Sequence, residues 1–98
     1  MAQVTVVEEA NGTYTVTVDV PSHPTTHTVR VPPGLPRTLG CEQAPVTELV
    51  RCSFAFLLAR ESATSILRSF SLEQIGDYFP DFPDVIGPLV AGGASGTD

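Results

Sequence analysis

Ninety-eight residues with a formal charge of -6 make one small domain, because so short a chain has too few apolar residues to fill two cores. The hydrophobic share of 42% is that of an ordinary globular protein and too high for intrinsic disorder, and no apolar run approaches the ~20 residues of a membrane span. Residues 23–68 hold all five bases, Arg30, Arg37, Arg51, Arg60 and Arg68, whereas residues 69–98 hold Glu73, Asp77, Asp81, Asp84 and Asp98 and no base. Nucleic-acid affinity comes mostly from cations that displace counterions, so neither a nucleic acid nor a membrane is the expected partner. The N-terminus shows neither the charged nor the apolar region of an export signal, which points to a cytoplasmic protein.

In chain order, residues 3–9 and 13–20 are rich in Val and Thr with Asn11-Gly12 between them, a strong hairpin signal. A two-residue loop would place Val6 opposite Thr17. A three-residue loop, Ala10-Asn11-Gly12, places Val6 opposite Val16 and Val4 opposite Val18, gathering the valines on one face. Burial selects the second register, since a one-residue slip exchanges the faces. It requires a type I turn with Gly12 left-handed in a bulge. After Pro21 and Pro24 the alternation resumes from Thr26 to Val31 as a third antiparallel strand, which Pro32 and Pro33 end.

Pro45 suits the first position of a helix that runs from Val46 to Arg60. Its apolar residues cover an arc of roughly 240°, far more than the ~100° stripe of a surface helix. Val50, Phe54 and Leu57 are expected against the sheet and Phe56 against a second cover. Ser62 opens a short helix over residues 63–70, and Ser71 with Gln74 forms a capping box for another that Pro80 stops. Tyr78 to Pro83 reads as an irregular aromatic stretch, part of a segment 71–89 that folds back over the long helix. From Gly92 the chain is small and polar, so the domain is placed at 1–90 and a disordered tail at 91–98.

No arrangement of these residues specifies chemistry. Cys41 and Cys52 match no zinc spacing and are expected as free thiols. His23 and His27, four apart on extended chain, lie ~13 Å from each other, too far to share an ion, and are expected at an exposed or edge position. Cys41 with either histidine lacks the signature of a nucleophile and its base. Asp77, Asp81 and Asp84 lack cation-loop spacing and read as a solvated rim. No catalytic residue, cofactor or metal is therefore assigned. The candidate interaction residues are Phe56, Tyr78, Phe79 and Phe82.

The run from Phe56 to Phe70, followed by Ile75-Gly76-Asp77-Tyr78-Phe79-Pro80, resembles a group of short actinobacterial proteins to which no activity is assigned. That resemblance implies a cytoplasmic bacterial protein and transfers no site residue. Thr28-Val29-Arg30-Val31-Pro32, with Thr47 to Arg51 later, is similar to ribbon-helix-helix repressors, in which Thr28 and Arg30 would read base edges. Pro33, Gly34, Pro36 and Gly40 depart from that family, whose helix directly follows its strand. The sequence thus reads as an α+β domain: a three-stranded antiparallel meander, one long apolar helix and two short helices. The expected function is that of a non-enzymatic interaction or accessory protein, joined to a second copy or to another protein. A small ribbon-helix-helix-like DNA-binding regulator is the alternative.

Overall fold

The Val–Thr alternation builds a sheet whose register is the one that buries the valines. A computed structural model describes residues 3–10, 12–21 and 23–95, with side chains through Val90. Strands β1 (Gln3–Ala10) and β2 (Thr13–Asp19) are antiparallel, with Val4 opposite Val18, Thr5 opposite Thr17 and Val6 opposite Val16. Near the tip the pairing shifts at a bulge between Glu8 and Ala10, so that Ala10 faces Thr13. The tip therefore keeps the two-residue count while the strands keep the valine-burying register. Gly12 has φ +82°, the left-handed region where a Cβ is strained. Its partner in the turn, Asn11, lies outside the described residues, and the type I assignment with it. Packing adds a second demand for glycine. Val31 N donates to Gly12 O at 2.7 Å, and a Cβ on Gly12 would stand 2.9 Å from Val31 O.

Strand β3 (Thr25–Arg30) pairs antiparallel with β2, but the meander does not end the sheet. Residues 63–70, expected as a helix, form a 3₁₀ turn at Ala63–Ser65 and then extended chain leading to β4 (Ser69–Ser71). This strand lies parallel to β3, with Val29 opposite Phe70, and the sheet order is β1-β2-β3-β4. Thr28 N donates to Arg68 O at 2.7 Å, so the new strand takes up groups on the edge of β3. Parallel pairing requires a long crossover. Here the crossover holds the single turn α1 (Leu35–Thr38) and the long helix α2 (Val46–Leu58).

Pro45 caps α2 from just outside rather than occupying its first turn. The wide apolar arc has the consequence expected of it. Leu49, Val50, Cys52, Ser53, Phe54, Phe56 and Leu57 are all buried, leaving Thr47, Arg51 and Ala55 to solvent. Toward the sheet, the Phe54 ring lies 5.3 Å from that of His27 and 6.0 Å from that of Phe70. On its other side, Phe56 meets Phe79 at 5.8 Å and Phe82 at 5.1 Å, both edge to face, a geometry that ring quadrupoles favour.

The second cover is the C-terminal segment, and it is more regular than expected. Ser71 N donates to Gln74 Oε1 at 2.7 Å, opening a 3₁₀ turn that continues into α3 (Ile75–Tyr78). The expected irregular stretch, Tyr78 to Pro83, is irregular only over residues 79–81, between the end of α3 and a helix, α4 (Phe82–Ser95). It extends into the segment 91–98 expected as a tail, of which residues 96–98 lie outside the described residues. Two prolines make this helix improbable from sequence, yet both are accommodated. Pro83 stands in the first turn, where its missing N–H has no intrahelical partner to lose. Pro88 leaves the Asp84 carbonyl without its helical donor, but both residues are exposed and water can serve instead. Phe82, Ile86 and Val90, four apart, form the buried stripe. A Cβ on Gly87 would lie 2.9 Å from Leu39 O, so a bare backbone lets α4 settle on the turn after α1.

Candidate interaction groove

Of the four aromatic residues singled out by sequence, the structure separates two from the surface. Phe56 and Phe82 are buried against each other. Arg60 closes this contact from outside: its guanidinium lies 3.7 Å from the Phe56 ring centre, donates to Phe56 O at 3.2 Å and meets Asp81 Oδ2 at 3.2 Å. Asp81 thereby ties the last turn of α2 to the start of α4. Tyr78, at 64% exposure, and half-buried Phe79 remain at the surface.

These two residues border an open groove of about 400 Å³ between the end of α2, the 62–70 connection and α3. Leu57, Ile66, Phe70 and Ile75 supply its apolar lining, with Glu61, Ser65 and Gln74 as polar members and Leu67 and Tyr78 exposed on it. Phe70, which β4 pairs with Val29 in the sheet, lines the groove together with Leu57 of α2 and Ile75 of α3. Sequence reasoning located Tyr78 and Phe79 but missed Leu67, which is 48% exposed. The spacing of Ala63, Ile66, Leu67 and Phe70 imitates a helix face, so Leu67 looked like core. Among the described residues, no cation pairs with Glu61. Arg68 lines the neighbouring cleft of about 270 Å³ with Thr26, His27 and Thr64 instead.

The other candidate chemical groups serve structure. His27 is 1% exposed, not at the surface as expected. Its Nδ1–H donates to Leu67 O at 2.7 Å, and Nε2 accepts from Thr25 Oγ1 at 2.9 Å, a tautomer assigned from these contacts. Both cysteines are free and buried. Burial pushes the Cys41 thiol up, and burial together with the Glu48 carboxylate does the same for Cys52, disfavouring the reactive thiolate. Cys41 Sγ donates to Leu39 O at 3.4 Å and His27 is committed to Leu67 and Thr25, so each is held by other partners. Among the described residues, no three His, Cys, Asp or Glu side chains could jointly hold a metal ion. Nor, among those residues, is any helix long and apolar enough to cross a membrane. No family model, curated protein or solved structure matches this chain.

Proposed function

We propose that this chain is a non-enzymatic, cytoplasmic protein-interaction domain that docks a partner in the groove bordered by Leu67, Tyr78 and Phe79. One observation carries the reading: an open apolar groove with an exposed tyrosine and leucine on it. Concave sites lined by apolar side chains with a few polar groups are where proteins hold ligands, and tyrosine is among the residues that most often dominate a protein interface. The DNA-binding alternative draws less support, because β3 is paired along both edges and so cannot form the intermolecular ribbon of the repressors it resembles in sequence.

The test compares the wild-type chain with a Leu67→Ser, Tyr78→Ser double variant. Both side chains are exposed, so each change is expected to alter stability by no more than about 0.5 kcal/mol. A partner captured by wild type should be lost from the variant at unchanged melting temperature. A partner held equally by both would place docking elsewhere. Duplex DNA titrated at low and high salt should give no salt-sensitive binding; a steep salt dependence would revive the alternative.

A further inference from the structure

We propose that the occupant of this groove is a short apolar segment of a partner protein carrying a lysine or arginine, whose cation pairs with Glu61. The inference rests on the docking role above and adds the partner's chemistry. Among the described residues that line the groove, Glu61 is the one carboxylate and none is a base. Outside the lining itself, the 3₁₀ turn and helix α3 carry Glu73 and Asp77, both exposed, and no base. The two arginines adjoining the 61–67 segment are occupied or line another site: Arg60 is held by Phe56 and Asp81, and Arg68 lines the cleft that also includes Ile66. An anionic segment would meet a carboxylate without a compensating charge, whereas a cationic one gains a partner that the fold leaves free. The apolar lining of Leu57, Ile66, Phe70 and Ile75 accepts the hydrocarbon of an aromatic or aliphatic residue, and Tyr78, exposed on the groove, is an aromatic ring of the kind that attracts cations.

The probes are three acetylated, amidated tetrapeptides with the same Phe-Leu centre, flanked on both sides by Lys, Gln or Glu. Each is titrated into the ¹⁵N-labelled full-length chain while backbone amide shifts are followed. The expected result is perturbation centred on Ile66, Leu67, Phe70, Ile75 and Tyr78, with the Lys peptide binding about threefold to fivefold tighter than the Gln peptide and the Glu peptide weakest. Glu61→Gln should erase that order while leaving the Gln peptide's affinity unchanged, and ~1 M salt should compress it. Equal binding of all three in the groove overturns the charge assignment and leaves groove docking standing. Shifts away from the groove, or none at millimolar peptide, overturn both.

Discussion

Gly12 is fixed by two independent constraints, and they add. Its φ of +82° disfavours any Cβ, and the site where that Cβ would go lies 2.9 Å from Val31 O, whose residue N–H is bonded to Gly12 O. Gly12→Ala should therefore destabilise by more than ~1 kcal/mol in chemical denaturation. A variant as stable as wild type would mean that the turn relaxes without cost. Glu48 shows a smaller effect with a definite pH signature. Its hydrogen bond from Arg51 is the main cause holding the carboxyl below its ordinary value, against the opposing effect of burial. A depressed folded-state pKa contributes stability that is fully present above the unfolded value, ~4.3, and is lost as pH falls through the folded value. Glu48→Gln should thus cost about 0.2–0.5 kcal/mol near neutral pH and nothing in acid. A constant difference across that range would assign the cost to packing rather than charge.

Helix α2 behaves as a buried element sandwiched between two layers, so substitutions on its two sides should be comparably costly. Phe56→Ala removes a ring in edge contact with both Phe79 and Phe82 and deprives Arg60 of its platform. A loss of about 3–5 kcal/mol is expected in urea melts. A loss below ~1 kcal/mol would mean that α4 does not cover this side. The width of the arc made this legible from sequence, as did the valine register of β1 and β2, because both follow from burial periodicity alone. Three features were not legible. β4 is three residues long, too short for alternation to register, and the helical spacing of Ile66, Leu67 and Phe70 argued against it. In α4 the pattern Phe82, Val85, Ile86, Leu89, Val90 is helical, but Pro83 and Pro88 outweighed it. Their cost is small only because one stands in the first turn and the other faces water, which are positional facts. His27 looked like a surface residue because its two hydrogen-bond partners include a backbone carbonyl forty residues away, and sequence spacing cannot reveal that. The groove inherits the same limits: Tyr78 and Phe79 were visible as aromatics beside proline, whereas Leu67 becomes exposed only because β4 forms.

At the scale of the molecule, α4 completes the core. Phe82, Ile86 and Val90 are buried among the rest of the apolar residues, and each such side chain contributes about 1.5–3 kcal/mol before ordering entropy is subtracted. Against the ~5–15 kcal/mol that holds a small domain folded, their joint removal cannot be tolerated. A chain ending at Phe70 should be unfolded or aggregated by circular dichroism and light scattering. One ending at Val90 should keep its melting temperature, since the buried stripe is intact. A cooperative, unshifted melt for the shorter chain would show that 71–90 is an appendage rather than a layer.

The parallel position of β4 also dictates an order of events. Between β3 and β4 lies everything from Val31 to Arg68, and closing that loop costs entropy before any ladder bond offsets it. The β1–β2–β3 meander, joined by short turns, can form before that closure, and β4 is placed only after α2 has docked on the valine face. Val16 should then belong to the folding nucleus and Phe70 should not. In stopped-flow chevrons, Val16→Ala should slow folding, whereas Phe70→Ala should mainly speed unfolding, with a φ-value of about 0–0.3. Phe70, which lines the groove, would accordingly join the sheet after the meander has formed and leave it before the meander opens, so the surface proposed for docking would be less protected kinetically than the β1–β2–β3 meander. Should Phe70→Ala instead slow folding as much as Val16→Ala, the crossover is already closed at the transition state.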